Sequence, residues 1–484
     1  MALGVPRNTA LVLSAAALLV WGCGFDVTSL VQGTDQAGVA LRDARVAPPP
    51  AEGYRLIARL AHLTDVHITD IASPARFTGA DAFVPPAWRP QEAYAAQVLD
   101  GLVRTVNRMH AAGRTIDALV ATGDLVDNAQ ANELAWVLAV MDGGLVRPLS
   151  GPDDRPEASR PPAELDPFAA FQAEGLYQHG RHGPLPSIPW YAAVGNHDVY
   201  ALGVFPIFTV ADGRRVAPLP LPQRPGLWLP VVLDPTGDRA YGAVSPARPG
   251  PPPLLNLPEM VPADSGRAYI TRADVAAALA GTRSGPPGHG LPPGGDVTWY
   301  GVPVAEGVRL IVLDTTRARG VVAGAIQSEG ALTRAQLDFL RAELRGAEQA
   351  RELAVVATHH PSDALRTESG SEVGPWEFRS VLGSSPAVVM HLAGHTHRHR
   401  VTDRGSYLEI ETAAGVDWPQ EGRIVELWVN EQDGRVAIAY DTFTHMTDEW
   451  PAFGDDPLRD LRERARLLAR SDKQPLRPQV SEPK

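Results

Sequence analysis

The chain has 484 residues, of which 44% are hydrophobic and 21% charged, so it can bury a sizeable core and wholesale disorder is excluded. Its formal net charge of −12 argues against a sequence-independent binder of DNA or RNA backbones. The single cysteine, Cys23, excludes an intramolecular disulfide and a cysteine-based metal site.

Residues 1–23 have the pattern of an export signal. Arg7 gives a positive start, residues 9–20 form an apolar run, and Gly22 and Cys23 supply a small-residue cleavage point. The run is shorter than the roughly 20 apolar residues that a membrane-spanning helix needs. Residues 20–23 resemble a lipobox, so we expect an exported lipoprotein of the cell envelope, anchored to the membrane by lipid on Cys23. The alternative is a periplasmic or secreted protein with an ordinary signal peptide.

Residues 24–54 lack periodicity and are predicted to form a tether, whereas residues 55–445 are predicted to form one α/β domain. Six apolar runs have the length of buried strands: residues 56–63, 118–121, 190–194, 309–313, 353–357 and 388–392. Residues 90–112 have a helical pattern, and a second helix is predicted after Thr333, which has Gln336 three positions later. Alternating segments at residues 407–411, 423–429 and 436–441 predict a closing antiparallel section.

Two stretches, residues 147–188 and 212–296, are rich in proline and glycine and show little periodicity. They are interpreted as ordered insertions or lids on one domain, not as independent domains. Residues 446–484 are predicted to form a C-terminal helix and tail. The helix is predicted to start at Asp456, and its apolar face favours packing on its own domain over binding a membrane.

Polar motifs of metal-ligand type follow nearly every predicted strand. The side chains concerned are Asp65, His67, Asp124, Asn196, His197, Asp198, His359, His360, His395 and His397. An α/β sheet places its functional site at the carboxyl ends of its strands, which is where these motifs fall. One such motif is weak evidence, but five in order, each after a predicted strand, strongly indicate a site.

The spacing and residue types point to a metal cluster. In an extended Asp-x-His or His-x-His segment, side chains two apart project to the same side and can bind one cluster. Glycines before Asp124, Asn196 and His395 are predicted to let the backbone turn sharply beside the metals. Oxygen and nitrogen ligands without thiolate suit iron, manganese or zinc better than calcium or a structural zinc.

The motifs from Asp65 to His397 resemble those of the calcineurin-like metallophosphoesterase superfamily, over about residues 55–445. This resemblance implies a four-layer α/β/β/α sandwich with two divalent or trivalent metal ions. It assigns Asp65, His67 and His397 to one ion, Asn196, His359 and His395 to the other, and Asp124 to a position between them.

The resemblance also implies that His197 is the catalytic histidine and that Asp198 orients it. His359 is favoured over His360 as the ligand, because it aligns with the lone histidine of relatives that have His-Ser-Pro there; His360 remains the alternative. Asp127 stands where purple acid phosphatases carry a tyrosine ligand, so no iron–tyrosinate chromophore is expected. A structural hydrogen bond and a catalytic role are equally compatible with Asp127.

Several neighbouring residues receive weaker interpretations. His62, His391 and His399 lie beside motifs but are not expected to be ligands. Asp314 and Thr315 either line the site or form a turn. Only about 85 residues follow His397, too few for the large C-terminal substrate domain of the 5′-nucleotidase branch. The resemblance therefore points to exported bacterial branches related to cyclic-nucleotide and glycerophosphodiester phosphodiesterases.

The leading hypothesis is a dinuclear-metal-dependent hydrolase of small-molecule phosphoesters, either diesters or monoesters. A hydroxide bridging the metals would attack phosphorus, and His197 would protonate the leaving group. The alternatives are a non-enzymatic metal-binding envelope lipoprotein and, less favoured, a nuclease of the same superfamily. No nucleic-acid partner is expected, because the arginine-rich patches at residues 398–400 and 459–470 are modest and interspersed with acids.

Overall fold

The fold is taken from a computed structural model, which describes residues 47, 49–50, 53–76, 78, 88–153, 155–224, 227–240, 259–292, 295–316, 328–367, 372–446 and 456–472. The predicted signal segment, Cys23 and most of the predicted tether lie outside these residues. Within the predicted tether, Ala47 pairs with Tyr440 through two backbone hydrogen bonds of 2.8 and 3.0 Å. The end of the tether is therefore attached to the edge of a sheet.

Two sheets form the centre of the domain. Their strands are β1 (Tyr54–Leu63), β2 (Ala118–Ala121), β3 (Trp190–Ala192), β4 (Tyr300–Ala305), β5 (Val308–Val312), β6 (Leu353–Ala357), β7 (Val388–Ala393), β8 (Arg400–Asp403), β9 (Leu408–Glu411), β10 (Glu421–Asn430) and β11 (Val436–Thr444). The first sheet has the order β11-β10-β1-β2-β3, and the second β4-β5-β6-β7-β9-β8. Strands β1, β2 and β3 are mutually parallel, as are β5, β6, β7 and β9.

The six strands predicted from apolar runs are confirmed as β1, β2, β3, β5, β6 and β7. The predicted closing antiparallel section is only half right. Strands β10 and β11 are antiparallel, but β9 pairs parallel to β7 and is antiparallel only to the edge strand β8. Strand β8 supplies the reversal, since the chain returns through it before adding β9 beside β7.

The helices are α1 (Ala95–Ala111), α2 (Ala131–Asp142), α3 (Asn196–Val199), α4 (Arg272–Ala280), α5 (Arg334–Ala350), α6 (Pro375–Ser384) and α7 (Arg459–Asp472). Helix α1 packs on the first sheet and α5 on the second, whereas α3 begins at the predicted ligand Asn196. In β5, Leu310 and Val312 join the large core cluster that also contains β1 and α1, whereas Ile311 joins the outer cluster of α5 and α6. This alternation is that of a strand buried on both faces, as the four-layer α/β/β/α prediction requires.

Local sequence explains where the predicted helices begin. Thr333 caps α5, because its side chain accepts a hydrogen bond from the Gln336 amide at 3.3 Å. Leu337, Leu340 and Leu344 are then buried on one face of α5. The helix predicted over residues 90–112 is α1, which begins later, after a 3-10 turn at Glu92–Tyr94.

The two proline-rich stretches contain more regular structure than their sequence predicts. Short strand pairs join Leu145–Val146 to Phe171–Gln172 and Arg239–Ala240 to Glu259–Met260, while Phe208–Thr209, Arg215–Arg224 and Leu227–Leu233 form a three-stranded sheet. Helix α4 lies in the second stretch and was missed, because its apolar residues do not form a clear stripe. One further pair joins Leu332–Thr333 to Glu372–Val373, and the remaining 3-10 turns are Glu157–Ser159, Ala163–Leu165, Ser265–Arg267, Pro287–Gly290 and Ser362–Ala364.

The C-terminal helix α7 packs on its own domain. It begins at Arg459 rather than Asp456, and Leu458, Leu461 and Ala465 are buried against the main core. The apolar face is thus used within the domain, which leaves no reason to assign it to a membrane. Among the described residues, none of the helices combines the length and apolar character needed to cross a bilayer.

Candidate metal centre

The predicted ligands follow the ends of parallel strands and meet at one place. Two clusters of side chains, each with ligand atoms within 4.8 Å of one another, share Asp65: Asp65, His67 and His397, and Asp65, Asp124 and His359. His395 lies in a third such cluster with His359 and His360. The structure therefore brings together carboxylates and imidazoles that are up to 332 positions apart in the sequence.

Asp124 lies at the centre of this arrangement. Its Oδ2 is 3.2 Å from Nε2 of His359 and 3.7 Å from Nε2 of His67. On the other side, Oδ1 of Asp65 is 3.3 Å from Nε2 of His397 and 3.9 Å from Nε2 of His67. Asp124 thus contacts one histidine of each predicted metal set, as expected of a carboxylate between two ions.

The hydrogen bonds of the ligands show which atoms are reserved for metal. Among the predicted ligands, four buried side-chain atoms have no hydrogen-bond partner: Asp65 Oδ1, His67 Nε2, Asn196 Oδ1 and His359 Nε2. Unpartnered buried polar atoms are costly, and four of them at one site require an explanation. Two metal ions would satisfy all four, so this donor set fits a dinuclear centre.

The other atoms of these side chains are held by protein partners. Asn196 donates from Nδ2 to the Gly203 carbonyl at 3.0 Å, and the Nδ1 of His359 contacts the Thr122 carbonyl at 2.8 Å. Oδ2 of Asp65 accepts from the Thr64 hydroxyl and from the His395 amide. These three ligands are therefore oriented before any metal binds.

Five predicted ligands have a backbone conformation that the sequence did not reveal. Their φ values are positive: Asp65 50°, His67 47°, Asp124 51°, His395 68° and His397 56°. Non-glycine residues rarely adopt this left-handed conformation, and its cost is about 1 kcal/mol or more at each position. The prediction that Asp-x-His and His-x-His bind metal from extended backbone is wrong, because these ligands lie in tight left-handed turns.

The glycines beside the ligands also act differently from the prediction. Of the three, only Gly123 has a positive φ, at 92°. At Gly195 an added Cβ would lie 2.2 Å from Asp124 Oδ1, and at Gly394 it would lie 1.9 Å from the Thr64 hydroxyl. At these two positions, glycine is required because the strand-end loops touch each other, not because the chain turns.

Residues 58–238 of the chain match the family model for calcineurin-like phosphoesterases. This segment is therefore identified as a calcineurin-like phosphoesterase domain. The matched segment contains Asp65, His67, Asp124, Asn196 and His197. The other three histidines of the centre, His359, His395 and His397, come from later in the chain and lie beside them in the structure. The protein is accordingly a metal-dependent phosphoesterase.

Solved structures add only distant similarities. The chain is similar to a dimetal phosphatase from Danio rerio, with 13% identity and a TM-score of 0.41 over 81% of this chain and 100% of the other. It is also similar to PhoD, with 10% identity and a TM-score of 0.30 over 88% of this chain and 78% of the other. No curated protein sequence matches it significantly.

In this phosphoesterase, the predicted role of Asp198 in orienting His197 is wrong. Both carboxylate oxygens of Asp198 accept backbone N–H groups, from Gly195, Asp124, Leu125 and Val126 at 2.8–3.1 Å. Burial and the charge of Asp124 raise the pKa of Asp198 to about 7. Asp198 therefore shapes the loop that carries Asp124.

The backbone of Asp127 orients His197 instead. His197 donates from Nδ1 to the Asp127 carbonyl oxygen at 2.7 Å, and its own amide donates to Asp124 Oδ1 at 2.8 Å. Nε2 is therefore the nitrogen left to act on substrate, and the side chain is 20% exposed. The side chain of Asp127 contacts Nδ1 of His67 at 3.0 Å. This contact supports a structural role for Asp127 over a catalytic one.

Hydrogen bonding distinguishes the ligand histidines from the neighbouring histidines that are not ligands. Both ring nitrogens of His360 have partners, Thr315 Oγ1 and the Ser328 carbonyl, each at 2.9 Å. This favours His359 as the ligand, although His360 lies in the same cluster. The rings of His62, His391 and His399 are likewise bonded at both nitrogens, to Thr122 and Thr412, Thr358 and Glu409, and Glu421 and Arg423, respectively.

Sequence reasoning missed two residues that support the centre. Asp417 lies 2.7 Å from Nδ1 of His397, and the buried Arg89 lies 3.3 Å from Asp417 and 3.5 Å from Asp127. Arg89 therefore links the carboxylates behind His397 and His67. Neither residue belongs to a short motif; a carboxylate following the last histidine motif was the only available signal.

Replacing Asp417 with asparagine should weaken binding of one metal ion about 10- to 100-fold, because carboxylate partners orient ligand histidines and make them more basic. Titration calorimetry or chelator competition would measure this loss. The matched control is Asp441→Asn. Asp441 lies on β11, its side chain is half-exposed, and the variant should bind both metals normally. Parent-like affinity in the Asp417 variant would show that His397 does not depend on this carboxylate.

The centre carries bound protons before metal arrives. Although burial opposes protonation, the carboxylate of Asp124 raises the pKa of His359 to about 9, and those of Asp65 and Asp417 raise the pKa of His397 to about 9. Burial lowers the pKa of His67 to about 4 and of His395 to about 3. At neutral pH, His359 and His397 are thus protonated in the metal-free protein.

Metal affinity should therefore rise with pH up to about 9. Each protonated histidine must lose its proton to bind metal, so the gain approaches about tenfold per pH unit for each proton released. Calorimetry in buffers of different ionisation enthalpy should count about two protons released at pH 7. A pH-independent affinity between pH 6.5 and 8.5 would contradict these protonation states.

Proposed function

We propose that this phosphoesterase is a phosphodiesterase with a dinuclear metal centre that acts at the cell envelope. The observation that carries the catalytic part is the convergence of four unpartnered buried atoms, Asp65 Oδ1, His67 Nε2, Asn196 Oδ1 and His359 Nε2, beside a partly exposed histidine. A purely structural metal site would have no use for that histidine, His197.

The chain's own residues divide the work of phosphoester hydrolysis. Two bound metal ions would supply an activated water and would stabilise the charge that develops on the phosphoryl oxygens. Asp124 holds His197 in place through the His197 amide, while Nδ1 donates to the Asp127 carbonyl, so that the Nε2 proton of the imidazolium form is the one available for transfer. In this position His197 donates a proton to the leaving oxygen as the ester bond breaks.

Charge balance around the site supports a diester rather than a monoester. Arg89 is paired with Asp127 and Asp417, and Arg272 donates to Asp314 at 2.8 Å. Among the described residues, these two guanidinium charges are already balanced by carboxylates, so neither is available for the second negative charge of a phosphomonoester dianion. A diester has only one such charge, which the metals can neutralise.

A hydrolysis panel tests this proposal. Residues 24–484 would be loaded with Mn, Fe or Zn and given bis-p-nitrophenyl phosphate, p-nitrophenyl phosphate, a cyclic nucleotide and a glycerophosphodiester. We expect kcat/KM for the diesters to exceed that for the monoester by at least about tenfold. A clear monoester preference would refute the substrate class, and silence with every metal would refute the activity.

The envelope location is supported by residues 1–23, with the lipobox-like segment ending at Cys23. Expression of the full chain in a bacterial host should place it in the membrane fraction and allow labelling with a radioactive fatty acid. Cys23→Ser should abolish the label and release the protein from the membrane. Recovery of unlabelled parent protein in the soluble fraction would refute lipid anchoring.

A further inference from the structure

The loop formed by residues 417–420 connects the metal centre to the C-terminal helix. Its first residue, Asp417, contacts His397 Nδ1 at 2.7 Å. Its second residue, Trp418, lies against α7, where Arg466 and Arg470 place their guanidinium carbons 5.4 and 5.7 Å from the ring centroid. Neighbouring residues of one short loop therefore contact a predicted metal ligand and a helix that lies outside the two-sheet core.

The two arginines form a repeated contact. They are four positions apart, so they lie on the same face of α7, one helical turn from each other. Stacking of guanidinium groups on an indole ring is favourable, and tryptophan is the best aromatic partner for it. Together they hold Trp418 at two points along the helix.

The other contacts of the loop come from different directions. Gln91 donates to the carboxylate of Asp417 at 3.1 Å, next to the ion pair with Arg89. At the far end of the loop, the side-chain oxygen of Gln420 contacts His445 Nε2 at 3.1 Å. The backbone N–H of Gln420 donates to the Asp417 carbonyl at 2.7 Å. The arginines of α7 complete the support on the side of Trp418.

Helix α7 is itself docked through a tight contact with α1. Arg462 is fully buried, is ion-paired with Asp456 and lies 4.0 Å from Asp100. The neighbouring Gly101 makes room for it, because a Cβ there would lie 2.4 Å from Arg462 Cδ and 2.8 Å from the His445 carbonyl oxygen. The position of α7 therefore depends on a glycine in the middle of α1.

From these contacts we infer that α7 is a positioning element of the metal centre: Arg466 and Arg470 hold Trp418, and thereby keep Asp417 in place against His397. This inference deepens the proposed function and rests on its dinuclear centre. It assigns a role to residues 459–472, which lie outside both the sequence motifs and the matched segment, residues 58–238. Loosening α7 should weaken metal binding without removing any ligand.

The sign of the effect separates positioning from simple electrostatics. Removing two positive charges near a cation site should, by Coulomb's law alone, strengthen metal binding. Release of Asp417 should weaken it, by part of the 10- to 100-fold that loss of a histidine's carboxylate partner causes. We therefore expect the double variant Arg466→Ala/Arg470→Ala to bind one of two metal ions about three- to tenfold more weakly.

The test uses residues 24–484 and Mn²⁺ or Zn²⁺ as the probe, with affinity and stoichiometry measured by chelator competition and elemental analysis. Arg464→Ala, on an exposed arginine of the same helix, is the control and should match the parent. Arg466→Lys/Arg470→Lys keeps a cation over the ring and should restore much of the affinity. Unchanged or tighter metal binding in the double alanine variant would overturn the inference.

Gly101→Ala provides a second test away from the loop. It should displace α7, seen as faster hydrogen exchange in residues 459–472, and should weaken the same metal site. Faster exchange in α7 with parent-like metal affinity would overturn the inference. If the parent itself fails to bind two metal ions, the dinuclear centre fails first, and the role of α7 falls with it.

Discussion

Replacing Asp124 with asparagine should reduce phosphodiester hydrolysis at least about a thousandfold. In the parent, the His197 amide donates to Asp124 Oδ1 at 2.8 Å, and asparagine keeps an oxygen for this bond. The substitution removes the negative charge that lies between His359 and His67. Metal ions stabilise transition-state charge by several kcal/mol, and each 1.4 kcal/mol corresponds to a factor of ten in rate. The measurement is kcat/KM on bis-p-nitrophenyl phosphate, together with metal content by elemental analysis.

A matched control is Asp338→Asn on α5, whose side chain is 74% exposed. It makes the same chemical change on the surface and should leave both rate and metal content within about twofold of the parent. The thermal stability of both variants should be recorded, because a buried carboxylate amid histidines also contributes to folding. Near-normal turnover in Asp124→Asn would contradict the assignment of this residue to the position between the two metal ions.

The second large effect concerns His197. His197→Gln should lower kcat about 10²- to 10⁴-fold for a diester with an alkoxide leaving group, which needs a proton. For bis-p-nitrophenyl phosphate the loss should be much smaller, because p-nitrophenolate leaves readily without protonation. Metal content should stay at the parent level, because His197 is not one of the predicted ligands and its Nδ1 donates to the Asp127 carbonyl.

The contrast between the two leaving groups is the informative quantity. An equal loss for both would indicate that His197 binds or positions substrate instead of donating a proton. His179→Gln is the control, because His179 is exposed and its Nδ1 is hydrogen-bonded to the carbonyls of Pro184 and Leu185, away from the predicted ligands. It should leave both rates unchanged.

Sequence reasoning succeeded where the signal is local. Apolar runs of strand length fix β1, β2, β3, β5, β6 and β7, and each ligand motif follows such a run directly. Strand ends indicated a common site for these motifs, but Asp65 and His397 follow strands of different sheets, so it was the family resemblance that grouped these two residues at one metal ion. The N-cap of α5 at Thr333 was equally local.

Sequence reasoning failed where three-dimensional contacts decide. The partners of Asp198 are backbone amides of another loop, which have no sequence signature. Asp417 lies 20 positions after His397 and belongs to no motif, so its contact with that ring follows only from the fold. The parallel pairing of β9 was missed for a related reason, because alternation of apolar residues does not distinguish parallel from antiparallel neighbours.

The left-handed backbone at five metal ligands has a consequence for protein engineering. Glycine adopts this conformation without strain. Substitutions to glycine at Asp65, His67, Asp124, His395 or His397 that abolish catalysis can therefore relieve about 1 kcal/mol of strain at each position. Laboratory evolution of this chain for heat resistance alone would tend to accumulate such changes, so a selection of that kind has to include turnover at every round.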